Sequence, residues 1–270
     1  MVSYWKVNGS KSKKNTMETV KVIQEQQLIQ PVKGKRILIT GGTTGIGRAS
    51  AHLLARENDV MIVGRHQQEL EDALRDFPTN RHPHGKLIGE MGDLVNSQDI
   101  EKLFHRVDEE FGRLDILINN AGLAFNGILE GSYDEWSYIL QTNLLGYLAC
   151  SRQAIDRMRI HGLGHIINIG SMSADVREKD SSVYVATKSG VQGFSESLRK
   201  EVNELGIKVT LIEPGAVGTD MQPREGQAYK IEKMEMLKAE DIAVAIYYCL
   251  STPLRCDVAE MQIRPHKQMI

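Results

Sequence analysis

The chain has 270 residues, of which 41% are hydrophobic and 25% charged, and a formal net charge of −2. That balance fits one large soluble α/β domain or two small ones and argues against a basic nucleic-acid-binding face. No apolar run nears the ~18 residues that span a bilayer, no signal-like apolar core opens the chain, and the scattered Cys150, Cys249 and Cys256 suit a reducing cytoplasm better than a disulfide framework.

Residues 1–33 read as an N-terminal extension, flexible or docked on the surface. KSKK is a solvated charge run, METVKVIQEQQLIQ has helical spacing but few large apolar residues, and Pro31 ends it. From Lys35 short apolar runs alternate with helical patterns. RILIT at 36–40 is a first strand, followed by a helix over 46–57. DVMIV at 59–63 is the second strand, followed by a polar helix over 67–76 that is broken at Pro78. KLIGEMG comes next, before Asp93. An amphipathic helix covers 97–111 with Ser97 as its cap, then comes the strand LDILIN at 114–119. Two long helices, over 133–161 and 182–205, flank the strand HIINIG. IKVTLIE at 207–213 stops at Pro214-Gly215, a helix covers 239–250, and EMQI at 260–263 is a last strand. Such alternation predicts a parallel sheet covered on both faces. His82 and His84 flank a proline with no ligand partners nearby in sequence, so no metal site is expected there.

Three stretches carry the chemistry. The first strand runs into Thr40-GGTTGIG-Arg48, a glycine-rich turn before a helix. Backbone N–H groups and the helix N-terminus would face a pyrophosphate there, although the spacing is G-x-x-x-G-x-G rather than G-x-G-x-x-G. The second strand ends in Gly64-Arg65 with no acidic residue. Arg65 suits the 2′-phosphate of NADP, where an NAD-binding chain would carry Asp or Glu on the ribose. The third stretch, Ser171 to Lys188, holds Tyr184 and Lys188 four apart on one helical face, and Ser171 at the C-terminal end of a strand. An ammonium beside a phenol favours the phenolate, and lowering a tyrosine from about 10 to about 7 takes roughly 4 kcal/mol. A tyrosine so tuned exchanges a proton with an alcohol oxygen at neutral pH.

In combination these residues resemble the short-chain dehydrogenase/reductase family, from about Lys35 to the C-terminus. The motifs TGGTTGIG, GDL (Gly92–Leu94), NNAG (Asn119–Gly122), Asn143, GS with Ser171, YVATK and PGAVGTDM (Pro214–Met221) occur in the family's order. The resemblance implies a single Rossmann-type doubly wound parallel sheet, about seven strands in the order 3-2-1-4-5-6-7 with helices on both faces. Residues 34–270 would form the catalytic domain, with a substrate lid at about 216–237. The cofactor turn would comprise Thr40, Gly41, Thr43, Thr44, Gly45, Ile46 and Gly47. Asp93 would accept from the adenine amine, with Leu94 beside the ring. Asn120, Ala121 and Gly122 would line the ribose and diphosphate. Pro214, Gly215, Val217 and Thr219 would border the nicotinamide.

Ser171, Tyr184 and Lys188 would be catalytic, with Asn143 supporting a water chain behind the lysine and Tyr184 and Lys188 also touching cofactor. Arg177, Glu178, Lys179 and Asp180 depart from the small apolar loop commoner in the family and are expected to be solvated at the rim, or in one case to touch a polar substrate. The implied activity is hydride transfer between NADP(H) and a carbonyl or secondary alcohol by a cytoplasmic homo-oligomer, with no metal, nucleic-acid or membrane partner. An epimerase or dehydratase of the same fold and a non-catalytic NADP sensor are the alternatives.

Overall fold

A parallel strand covered on both faces is apolar along most of its length, and β1 (Arg36–Thr40) follows that pattern: Ile37, Leu38 and Ile39 are all fully buried. The computed structural model describes residues 29–77 and 85–268. Most of the extension, the break at Pro78, and His82 and His84 lie outside the described residues. At the described edge of the extension Val32 is buried and the Gln30 N–H donates to the Ser251 carbonyl.

The chain then alternates as the sequence predicts. α1 (Gly45–Leu54) leads to β2 (Asp59–Gly64), α2 (Gln67–Arg75) to β3 (Lys86–Met91), and α3 (Ser97–Phe111) to β4 (Ile116–Asn119). β5 (Gly164–Ile169) and β6 (Ile207–Pro214) follow, and β9 (Glu260–Ile263) closes the sheet. The seven strands are parallel in the order β3-β2-β1-β4-β5-β6-β9. β9 is the expected seventh strand. β7 (Val217–Gly218) and β8 (Leu237–Lys238) form a separate two-residue parallel pair.

Alternate strand residues serve two cores. Ile37 and Ile39 pack with Ala51 and Leu54 of α1 and with Ile242 and Ile246 of α9 (Ala239–Ser251). Leu38 and Leu117 pack with Phe104 of α3 and Leu198 of α7 (Ser182–Val202). Each such side chain contributes roughly 1.5–3 kcal/mol of transfer free energy. The strand order reverses between β1 and β4, which pair through Ile39 and Ile118. Beyond that pairing the chain departs to opposite sides, leaving a crevice at the strands' C-terminal ends.

Two expectations are corrected. The cap of α3 is Asn96, whose side chain accepts from the Gln98 N–H. Ser97 already has helical geometry. The stretch over 133–161 is not one α-helix: α4 (Tyr133–Leu140) passes into a π-helical segment, Gln141–Leu145, and resumes as α5 (Gly146–Met158). Thr142 and Asn143 of this wider turn are both buried. The last turn of the other long helix, Asn203–Leu205, tightens to 3-10 geometry. Among the described residues no helix is long and apolar enough to cross a membrane.

Candidate active site

The turn after β1 is built by close approach. A Cβ on Gly41, whose φ is +60°, would stand 2.7 Å from the Ala121 Cα. One on Gly47 would stand 2.1 Å from the Gly41 carbonyl oxygen. Thr40 fixes the other wall: its hydroxyl oxygen accepts from the N–H groups of Asn120 (3.0 Å) and Ala121 (3.1 Å). The Asn120 amide donates back to the carbonyls of Thr40 and Gly41.

Between these walls lies a cavity of about 210 Å³ lined by Gly41, Thr43, Thr44, Gly45, Ile46, Arg65, Asp93, Leu94, Asn120, Ala121 and Gly122. A glycine-rich turn at a helix N-terminus, with an arginine among the lining residues, suits a nucleotide diphosphate. Gly47 acts from beneath, as packing for the turn.

At the Arg65 end is a feature the sequence reading missed. Tyr138 of α4 accepts from Arg65 Nη1 (2.5 Å) and donates to Asp93 Oδ2 (2.8 Å). Burial and the bond to Asp93 push its phenol up. Glu69 also lines the cavity and accepts from Thr43 (3.4 Å), and Asp220 accepts from Thr44 (3.0 Å). No spacing rule marks these three, because each comes from an element that only the tertiary fold brings to the crevice.

A second cavity, about 480 Å³, adjoins the first and shares Ile46, Asn120, Gly122, Thr219 and Met221 with it. It is lined by Ser171, Tyr184, Lys188, Pro214, Gly215 and Val217. The serine, tyrosine and lysine thus face one space. Asn143 does not line it. Its amide oxygen accepts from the Leu123 N–H (2.8 Å), and its nitrogen donates to the Leu123 carbonyl (2.9 Å) and Thr187 Oγ1 (3.3 Å). The π segment therefore brings an asparagine to brace the chain beside Gly122. Of the four loop charges only Glu178 lines the cavity; Arg177 and Lys179 are exposed. In the segment over 216–237, Met221 lines both cavities, Met236 is buried, and Tyr229 and Met234 are exposed.

The electrostatics correct one expectation. The Tyr184 phenol is pushed up, not down: burial dominates, Glu178 adds to it, and the hydrogen bond with Ser171 only partly opposes it. Lys188 Nζ lies 5.8 Å from the tyrosine ring centroid and donates to the Ile169 carbonyl (3.0 Å). Tyr147, fully buried, donates to the same carbonyl (3.1 Å).

Burial pulls Lys188 itself down to about 8, with Glu213 opposing. The unfolded lysine keeps its proton to about pH 10.5, so between pH 8 and 10.5 the unfolded state binds more protons and stability rises with pH. Below pH 8 the whole cost, up to about 3 kcal/mol, is present. Lys188→Met is expected to gain most over the wild type near pH 7 and to lose that gain by pH 10. Urea titrations of both proteins at the two pH values measure it. A constant difference would mean the buried ammonium costs nothing.

The family model for the short chain dehydrogenase matches residues 35–230. An uncharacterized oxidoreductase of Staphylococcus aureus (strain USA300) is 33% identical over 241 residues, covering 86% of this chain and 97% of its own length.

The chain belongs to the short-chain dehydrogenase family.

A solved short-chain dehydrogenase/reductase from Serratia marcescens BCRC 10948 superposes with a TM-score of 0.77 at 28% identity, covering 87% of this chain and 98% of that one. An L-sorbose reductase from Gluconobacter frateurii, solved with NADPH and L-sorbose, gives a TM-score of 0.79 over 88% and 99% of the two chains; at 23% identity that likeness is one of fold. This short-chain dehydrogenase is thus an oxidoreductase by family, with a nicotinamide cofactor as the family's redox partner.

Proposed function

We propose that this chain is an NADP-dependent carbonyl reductase or alcohol dehydrogenase acting on a small molecule. The observation that carries the reading is the junction of the two cavities: they share residues, so a dinucleotide that started at Arg65 would extend into the space that Tyr184 lines. When bound, the nicotinamide supplies or accepts the hydride.

The chain's own residues do the rest. Ser171 and Tyr184 hydrogen-bond the substrate oxygen, where negative charge grows during reduction. Tyr184, hydrogen-bonded to Ser171 at the cavity wall, is the side chain placed to give that oxygen its proton. Lys188 holds positive charge near the ring and would hold a cofactor ribose. Asn143, through Leu123, keeps the wall beside Gly122 in place. Phe125, Met172 and Val176 line the second cavity together with Asn126, Glu178 and Gln222, which suits a substrate with both apolar and polar groups.

The reading is tested by a panel of ketones and alcohols with NADPH, NADH and their oxidised forms, followed by nucleotide absorbance. Turnover without net change in nucleotide would favour an epimerase or dehydratase instead. Arg65 supports NADP. Its bond to Tyr138 holds the guanidinium over the adenosine end, and a 2′-phosphate would replace a neutral hydroxyl acceptor with a doubly charged one. Arg65→Ala is expected to weaken NADPH binding at least about tenfold and NADH binding less than about twofold, measured by fluorescence titration. Equal losses would remove the NADP assignment.

The same reading includes a homo-oligomer. Tyr133, Leu140, Leu145 and Leu148 are exposed along α4, the π segment and α5, around an apolar groove of about 770 Å³ that Val183 and Ala186 of α7 also line. A second copy would cover it, and light scattering showing only a 30.2 kDa species would contradict that. The cytoplasmic assignment is supported by Cys150, Cys249 and Cys256 all being free.

A further inference from the structure

Beside β6 three carboxylates converge from three elements. Asp175 comes from α6 (Ser173–Val176), Glu213 from β6 and Glu260 from β9. One oxygen from each lies within 4.8 Å of the other two. Glu213 is completely buried, and its Oε1 has no hydrogen-bond partner. Its Oε2 accepts from Gln262 Nε2 (3.2 Å), which also donates to Asp175 Oδ2 (2.5 Å). Asp175 Oδ1 accepts from Gln192 (3.0 Å).

No lysine, arginine or histidine among the described residues is ion-paired with any of the three acids. The cation that feels Glu213, Lys188, is already committed to the Ile169 carbonyl.

A buried carboxylate with a free oxygen needs compensation. A proton shared between two carboxyls would serve two of the acids, but a third arrives at the same place from a different element. We propose that Asp175, Glu213 and Glu260 bind a hard divalent cation, Ca²⁺ or Mg²⁺. All-oxygen ligands are what such ions take. The 4.8 Å span suits Ca²⁺ directly, at about twice its 2.3–2.6 Å ligand distance, and Mg²⁺ with a water completing the gap. Turning the Gln262 amide over would present its carbonyl oxygen as a fourth ligand.

The ion would clasp α6, which begins two residues after Ser171, to the edge of the sheet just before Pro214-Gly215. It would therefore brace the strand ends that carry the active site.

The test is thermal unfolding and calorimetric titration of the full-length, chelator-treated protein at pH 8, with CaCl₂ and MgCl₂ in separate arms. Saturable binding of one ion per chain and a rise in Tm of at least about 3 °C are expected in one arm. Asp175→Asn and Glu260→Gln, both at exposed positions, are each expected to weaken that binding at least about tenfold. Absence of heat and of a Tm shift in both arms would overturn the proposal in favour of a shared proton. Equal binding by both variants would place the ion elsewhere and overturn it too.

Discussion

Replacing Tyr184 by phenylalanine is expected to lower the rate of carbonyl reduction at least about a hundredfold while leaving NADPH affinity within about threefold. The substitution removes one oxygen and keeps the ring. Lys188 Nζ packs over that ring at 5.8 Å and bonds the Ile169 carbonyl, contacts that the phenylalanine leaves intact. The cofactor crevice is built from Thr40, Asn120 and the glycine turn, none of which touches the lost hydroxyl. What disappears is the proton donor and half of the hydrogen bonding to the oxygen that gains charge. Single-turnover kinetics with saturating NADPH isolate that step. Near-normal turnover would mean that another group delivers the proton, and the assignment of Tyr184 would fall.

The second large effect is expected at Gly47. A methyl group there would lie 2.1 Å from the Gly41 carbonyl oxygen and 2.5 Å from the Asn120 amide nitrogen, both held by other bonds. Neither is the loose end of a side chain, so the turn itself must move by about an ångström. Gly47→Ala should therefore cost about 3 kcal/mol of stability and about a hundredfold in kcat/KM, since misplacement on that scale disturbs alignment far from the change. Gly112→Ala provides the control. Gly112 caps α3 at φ +66° with nothing within 4 Å of a new Cβ, so the cost is conformational, about 1 kcal/mol, with activity kept. Denaturant unfolding and steady-state kinetics of both variants compare the two. Equal behaviour would show that the tight contact under the turn is not what shapes it.

The sheet was readable because its central strands carry near-continuous apolar runs. β1, β4, β5 and β6 are buried on both faces along most of their length. The serine, tyrosine and lysine were readable because their spacing survives into the fold, and the structure does turn all three into one cavity.

Other features depend on contacts that sequence spacing does not encode. The π segment answers to Asn143 reaching the Leu123 backbone, twenty residues away in the chain. The start of α3 went to Asn96 over Ser97 because the amide side chain could reach the Gln98 N–H from an extended backbone. The direction of the Tyr184 shift depends on how deeply the phenol is buried, which a four-residue spacing does not report. Tyr138 joins Arg65, 73 residues upstream, to Asp93, 45 residues upstream, a link made only when α4 folds over the crevice.

The Thr40 hydroxyl has a thermodynamic corollary. By taking two amide protons from the neighbouring strand's end, it sets the separation of the two chain segments before any nucleotide arrives. Little backbone freedom is then left to lose on association, so entropy lost at the diphosphate end should be small and affinity should depend mainly on how well the incoming phosphates match a mould already cast.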